Sequence, residues 1–355
     1  MVVPMPAAVK KPAKRKKKKG TGLKIFCIVV IVISLLIVLG VAYVLNISKG
    51  LNHNELNQGD LGLTEKTDSI TDNADDKSIT NIALFGIDQR NDETKARSDV
   101  IMIVSVDKMH NKVKLSSIMR DTLAPIDEHD QRKINSAYYY GGPQLAVKTL
   151  NQLFDLNISE YATANFQQMA EMIDAIGGVE IDVSEAERLQ ANISIKEQSG
   201  VAGLAEDYIQ KSGLQTLNGT QAVAFARIRH TKTSEGSADD FGRTDRQREV
   251  MGKMFDKVKK MNVLQYPELA RKFLPMVETS LDMNDLFGLA GIMLRDVTFE
   301  EKRFPTKYDL IGNGSITVNG EQCLNVDLEG MKNRLQAYIY ADIDPNAAPE
   351  SQTGE

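Results

Sequence analysis

Carboxylates and guanidinium groups are interleaved along this chain at points where the local pattern predicts that a strand or helix ends. They are Asp88, Arg90, Arg97 and Asp99, then Arg120 and Asp121, then Arg227 and Arg229, and finally Arg243, Arg246 and Gln247. Carboxylates hold a divalent cation, and guanidinium forks bind phosphate oxygens in pairs. The mixture predicts a metal-assisted pyrophosphate site. Asp88 and Asp99 suit Mg²⁺, which keeps several waters and takes one or two protein carboxylates alongside phosphate oxygens. Any one of these residues alone reads as a turn, a cap or a surface ion pair of little energetic weight. Their joint placement carries the expectation.

The elements that must position them alternate between strand and helix patterns, as in a mixed α/β domain. Residues 79–85 read as a short apolar strand that stops at Gly86 and leaves Asp88 at its mouth. Residues 100–106 (VIMIVSV) read as a buried strand that turns at 107–111 into a third strand, 112–118, with Arg120 and Asp121 just beyond. Residues 136–154 predict a helix interrupted at Gly141-Gly142-Pro143, and 164–176 a second helix ended by Gly177-Gly178 before the strand 179–183. Residues 221–228 read as a strand, which would send Arg227 and Arg229 out of one face. From Arg243 onward, Met251, Met254, Phe255 and Val258 predict an amphipathic helix. Arg243, Arg246 and Gln247 would then share a face at its start, where free N–H groups and the dipole favour an anion.

Residues 25–45 (IFCIVVIVISLLIVLGVAYVL) contain no charge. At about 1.5 Å per residue such a run crosses a hydrocarbon core of roughly 30 Å. A basic run (KKPAKRKKKKG) precedes it and should stay in the cytoplasm, which puts the bulk of the chain outside. The apolar run is longer than a signal peptide's core, and Tyr43-Val44-Leu45 is no small-residue cleavage site. Nine of the 43 basic residues and none of the 48 acidic ones lie before Ile25, so the rest carries 34 basic against 48 acidic, a net −14. That charge excludes non-specific nucleic-acid binding as the role of the exterior. Cys27 and Cys323 cannot pair within one folded chain, and His53, His110, His129 and His230 are too scattered for a zinc site.

Five segments are expected: a basic cytoplasmic segment (1–24), a transmembrane helix (25–45), a flexible polar stem (46–78), an extracellular catalytic domain (79–340) and a disordered tail (341–355). The sequence sets no oligomeric state.

The motifs in order are Leu84-Phe85-Gly86-Ile87-Asp88-Gln89-Arg90, Ala96-Arg97-Ser98-Asp99, Ile118-Met119-Arg120-Asp121 and Lys133-Ile134-Asn135-Ser136-Ala137-Tyr138. Then come Asn165-Phe166, Asp174-Ala175-Ile176-Gly177-Gly178-Val179, Leu217-Asn218-Gly219, Ala226-Arg227-Ile228-Arg229, Asp240-Phe241-Gly242-Arg243 and Arg246-Gln247. The series resembles the LytR-CpsA-Psr family of cell-envelope proteins. Met119 stands where Pro is common, Val100 where Thr is common, and the stretch between His230 and Asp240 is longer than in compact members.

The resemblance implies an α/β fold, three-layer α-β-α around a central mixed sheet, preceded by the single N-terminal transmembrane helix. It implies a membrane-anchored phosphotransferase of Gram-positive-type bacteria. Such an enzyme moves a wall glycopolymer, such as a teichoic acid or capsule, from polyprenyl pyrophosphate to peptidoglycan and releases polyprenyl phosphate. It places Mg²⁺, or Mn²⁺ in its stead, on Asp88 and Asp99. Arg90, Arg97, Arg120, Lys133, Arg227, Arg229, Arg243, Arg246 and Gln247 form the expected pyrophosphate-binding set. Asp121 or a metal-bound carboxylate would take the acceptor's proton. The carrier lipid needs an apolar groove, for which Tyr138, Phe154, Phe166, Met169, Met172, Ile173 and Phe225 are the candidates beside the motifs. Two other readings remain: a polyprenyl-pyrophosphate hydrolase, and a non-catalytic regulator that binds polyprenyl phosphate.

Overall fold

The computed structural model describes residues 49–63, 79–88, 95–202, 206–233 and 236–347. The expected membrane span, the basic segment before it and Arg90 lie outside them, and no helix among the described residues is long and apolar enough to cross a membrane. In chain order the strands are β1 (Asn52–His53), β2 (Ile79–Ile87), β3 (Ser98–Asp107), β4 (Lys112–Ile118), β5 (Leu123–Ile126), β6 (His129–Lys133) and β7 (Glu160–Asn165). They continue with β8 (Val179–Val183), β9 (Gly213–Leu217), β10 (Glu278–Thr279), β11 (Thr298–Phe304), β12 (Leu310–Val318) and β13 (Glu321–Val326). The helices are α1 (Ser136–Phe154), α2 (Phe166–Ala175), α3 (Glu185–Ala202), α4 (Gly219–Ala226), α5 (Asp239–Lys260), α6 (Tyr266–Phe273), α7 (Met283–Met293) and α8 (Leu328–Ala341).

The central sheet runs β1-β10-β7-β2-β3-β4-β11 and is mixed: β2, β3 and β4 are antiparallel neighbours, whereas β7 joins β2 and β11 joins β4 in parallel. Its middle strands are apolar on both faces because both faces are covered. On one face Phe85, Ile101 and Ile103 pack with Leu150 and Phe154 of α1 and Leu335 and Tyr338 of α8. On the other, Phe255 of α5 stacks on Phe299 of β11 with ring centroids 4.5 Å apart. A second apolar cluster joins α2, β8, β9, α4 and α5 beside the sheet.

Two family motifs are explained by this packing. Asn218 caps α4 in a reciprocal box with Gln221, and the N–H of Gly219 donates to Asp174 at 2.7 Å. A Cβ at position 219 would lie 1.9 Å from the Ala170 carbonyl oxygen, so only glycine lets α4 approach α2 this closely.

Four expectations are corrected. Residues 221–228 are not a strand: α4 occupies 219–226, Arg227 caps its C-terminus and Arg229 follows it. The run deceived because Ala222, Val223, Ala224 and Phe225 are all buried, and a short run buried on every side has no readable period. The amphipathic helix starts at Asp239, so Arg243 sits in its second turn, away from the free N–H groups. Residues 49–63 of the expected stem are packed on the domain: β1 pairs with β10, Leu56 and Leu61 are buried, and Asn151 donates to the Leu61 carbonyl at 2.8 Å. The start of the expected tail is likewise held, since Asp342 pairs with the buried Lys114 at 2.8 Å and Asp344 with Lys302 at 3.1 Å. Lys114 also donates to the Tyr338 carbonyl at 2.6 Å and so ties down the C-terminal end of α8.

Candidate active site

Strand β3 carries one residue more than β2 at their shared end. Gly86 pairs with Val100 and Ile87 with Ser98, so Asp99 is the extra residue of a β-bulge. A bulge frees a side chain from the strand's alternation and re-aims it; here it leaves Asp99 lining a cavity of about 310 Å³. Asp88 directly follows β2, so both carboxylates lie at the same end of neighbouring strands.

An alternating network of charge surrounds Asp99. Arg120 donates to Asp99, its Nε lies 3.7 Å from Asp121 and 3.5 Å from Asp240, and Lys133 meets Asp121 at 2.8 Å. Asp240 in turn meets Arg243 at 2.7 Å and Arg229 at 3.8 Å. Burial drives Arg120 downward, but Asp99, Asp121 and Asp240 outweigh it and raise its pKa. Arg243 is the opposite case: burial, with Arg120 nearby, lowers it to about 10 because Asp240 and Asp99 together do not compensate. The Nε atoms of Arg120 and Arg243 are buried without a hydrogen-bond acceptor. Buried donors without acceptors and a depressed guanidinium suit this cluster to binding an anion.

The two central carboxyls are driven apart. Burial pushes Asp121 up, but the Lys133 ammonium and Arg120 outweigh it and hold it below its ordinary range. Burial raises Asp240, against the pull of Arg243 and Arg120 and with the help of the Asp121 charge. Separated pKa values in adjoining groups suit proton transfer.

The polar cavity is also lined by Phe166, Arg227, Arg229, Arg243 and Gln247. A second cavity, of about 260 Å³, adjoins it and is apolar: Leu84, Met102, Met169, Met172, Val250, Met251, Met254 and Phe273 form much of its wall. Phe166, Arg227 and Gln247 line both cavities. The Arg227 guanidinium sits 4.5 Å from the Phe166 ring centroid, at the border between them.

Several expected site residues lie elsewhere. Arg246 is 1% exposed and turned inward, donating to Glu187 at 3.0 Å and to the carbonyls of Ile228 and Thr231 at 3.3 and 2.9 Å. It braces the segment that carries Arg229 and is spent on that role. Arg97 points to the β12–β13 hairpin, 3.4 Å from Glu321. Of the groove candidates, Phe166, Met169 and Met172 line the apolar cavity. Ile173 and Phe225 lie in the core around it, whereas Tyr138 and Phe154 pack in the core on the opposite face of the sheet. Proximity to a motif along the chain does not fix which face of a sheet a side chain reaches. Asp240 had no assigned role; its signal was the Asp240–Arg243 spacing of three on a helix.

Among the described residues no group of three or more His, Cys, Asp or Glu could hold a metal. A cation held by Asp88 and Asp99 would have to take its remaining ligands from phosphate and water.

The sequence model of the LytR_cpsA_psr family matches residues 44–336. The chain is 31% identical over 202 residues to the polyisoprenyl-teichoic acid–peptidoglycan teichoic acid transferase TagV of Bacillus subtilis, covering 56% of this chain and 48% of TagV. It is 32% identical over 218 residues to TagU of Oceanobacillus iheyensis (59% and 62%), and 32% over 194 residues to the regulatory protein MsrR of Staphylococcus aureus (54% of each). The chain thus spans between 48% and 62% of these relatives. Among solved structures, TagT bound to LI-WTA superposes with a TM-score of 0.60 at 24% identity, over 81% of this chain and 99% of that one. TagT with bound octaprenyl pyrophosphate lipid gives 0.57 at 23%, over the same shares. At these identities the likeness shows a shared fold.

Proposed function

The chain belongs to the LytR_cpsA_psr family, and from that premise we propose that it is a glycopolymer phosphotransferase. It would move a wall glycopolymer from a polyprenyl diphosphate to peptidoglycan, anchored by residues 25–45 with the catalytic domain outside the cell. One observation carries the reading: an apolar cavity and a cation-lined polar cavity meet at Phe166, Arg227 and Gln247. A lipid diphosphate has those two halves in that order. The relatives named as teichoic acid transferases and the TagT structure with octaprenyl pyrophosphate support the same ligand class.

In this reading the lipid lies along Met169, Val250 and Met254, and the diphosphate meets Arg227, Arg229, Arg243, Gln247 and the unused Nε of Arg120. The acceptor hydroxyl oxygen attacks the phosphorus that bears the glycan. The bond from that phosphorus to the lipid-side phosphate breaks, and polyprenyl phosphate leaves with the electron pair. The arginines stabilise the charge gathering on it. Asp88 and Asp99 would hold Mg²⁺, with Mn²⁺ as a substitute, whose charge would neutralise diphosphate oxygens. The hydroxyl proton passes to the Asp121–Asp240 pair, where Asp121 is held ionised by Lys133. Lys133 therefore acts through Asp121 and is not assigned to the diphosphate.

The test is chain-length dependence. Val250→Trp, which fills the apolar cavity, should weaken binding of undecaprenyl diphosphate at least tenfold and leave inorganic pyrophosphate binding unchanged. Equal binding of the long lipid by wild type and variant would remove this cavity from the reading.

A further inference from the structure

The first turn of α5 carries the Asp240 carboxyl, yet the helix begins without a capping side chain, because Ala238 stands at its N-cap. Such a turn frays unless something outside the helix holds it. Two contacts do so here. The Asp239 N–H donates to the Arg229 carbonyl at 2.7 Å. From the edge of the sheet, Arg303 of β11 donates to Asp245 at 2.7 Å and to the Phe241 carbonyl at 3.5 Å, and its guanidinium lies 4.6 Å from the Phe241 ring centroid. Residues 241 and 245 are neighbours on one face of the helix, so a single side chain spans them. The next residue of β11, Phe304, accepts the Met119 N–H at 2.8 Å, and Met119 directly precedes Arg120. Two successive residues of one strand therefore brace both sides of the Arg120–Asp240 pair, whose atoms lie 3.5 Å apart. Thr244 closes this frame: its hydroxyl donates to the Asp240 carbonyl at 3.0 Å and lies 3.7 Å from the Met119 sulfur.

The second turn of α5 has a tether of its own, since Arg246 fastens it to Glu187 and to the Ile228 and Thr231 carbonyls. That tether places Arg243 without help from the sheet. Asp245 also meets Arg248 at 2.8 Å, but Arg248 belongs to the same helix and fixes nothing across the gap to β11. Only Arg303 joins the side chains of the first turns to that strand. We propose that Arg303 is a positioning residue for the Asp240 carboxyl, setting it against Arg120 for proton transfer, a role that rests on the phosphotransferase reading above. Arg303 lies far beyond Arg246-Gln247, the last of the motifs, so no motif points to it.

The test uses the full chain in detergent micelles. Arg303→Met keeps an apolar stem on Phe241 and removes the charge, whereas Arg303→Lys keeps a cation for Asp245. In Arg303→Met, kcat for transfer should fall about ten- to a hundredfold, as misaligned proton transfer does, while farnesyl diphosphate affinity stays within about twofold. Arg303→Lys should recover part of that loss. In an Asp240→Asn background the Arg303→Met change should alter kcat by less than about twofold, because its effect runs through Asp240. Equal losses in both backgrounds, or a loss that falls on diphosphate affinity instead, overturn the role. Amide hydrogen exchange read by mass spectrometry tests the placement without turnover: residues 239–243 should exchange about tenfold faster in Arg303→Met, and residues 250–258 at the wild-type rate. Unchanged exchange at 239–243 overturns the placement. Faster exchange there, with no transfer by wild type at saturating donor and acceptor, supports the placement and fails only the phosphotransferase reading.

Discussion

Arg246 and Arg229 were indistinguishable as arginines beside a family motif, and the structure gives them opposite fates. Arg246→Met removes four donor contacts: two to Glu187 at 3.0 and 2.9 Å and two to the Ile228 and Thr231 carbonyls. Glu187, 6% exposed, is left with the Ser184 hydroxyl and N–H as its partners. Breaking one side of a buried ion pair costs about 3–5 kcal/mol, out of a total stability of about 5–15 kcal/mol. Arg229 is 43% exposed and lies 3.8 Å from Asp240, so its pair contributes about 0–1 kcal/mol to folding. Its loss should instead appear in ligand binding, where a hydrogen bond to a charged group is worth roughly 1.5–3 kcal/mol, or about ten- to a hundredfold. Urea unfolding followed by far-ultraviolet circular dichroism suits the assay, because the chain has no tryptophan. Farnesyl diphosphate affinity is measured alongside. The Glu187→Gln/Arg246→Met double variant should recover part of the loss, since no lone charge stays buried. A loss under about 1 kcal/mol in Arg246→Met, or a larger loss in Arg229→Met, refutes the division of labour.

Three further outcomes follow from the geometry. Asp99→Ala should abolish Mg²⁺-dependent turnover while the circular dichroism spectrum and unfolding midpoint stay near wild type; full activity in the variant would sink the metal assignment. Lys133→Met removes the ammonium that holds the Asp121 carboxyl low, so Asp121 titrates higher and the acid limb of kcat/KM should move to higher pH; an unmoved limb would take Asp121 out of proton transfer. Gly219→Ala forces a methyl group against the Ala170 carbonyl and should cost about 1–3 kcal/mol or more in urea unfolding without a change in pyrophosphate affinity; a neutral effect would contradict the close helix contact.

Much of the central sheet was legible because its strands are long apolar runs bounded by turn residues, and β2, β3 and β4 fall where VIMIVSV and its neighbours predict. The site was legible as a set of residue types but not as a geometry. The bulge that re-aims Asp99 depends on a pairing register that no local pattern encodes. Residues 221–228 misled because complete burial erases periodicity, and Arg246 because a guanidinium in a helix shows nothing of its direction until Glu187 of α3 is placed beside it. Tyr138 and Phe154 were grouped with the groove by their place along the chain, yet α1 carries them to the other face of the sheet. The anchoring of residues 49–63 hung on Leu56 and Leu61, two apolar residues in a polar stretch whose partners lie far along the chain.

The most direct measurement combines the full chain, Mg²⁺, a synthetic polyprenyl-diphosphate glycan and soluble peptidoglycan fragments, with products read by mass spectrometry. The account predicts a glycan–phosphodiester–peptidoglycan adduct and an equal amount of polyprenyl phosphate, both lost in Asp99→Ala. Polyprenyl phosphate released with no adduct, under acceptor concentrations that saturate the reaction, would make the chain a hydrolase and contradict the transferase reading; tight lipid binding with no turnover would make it a binding protein.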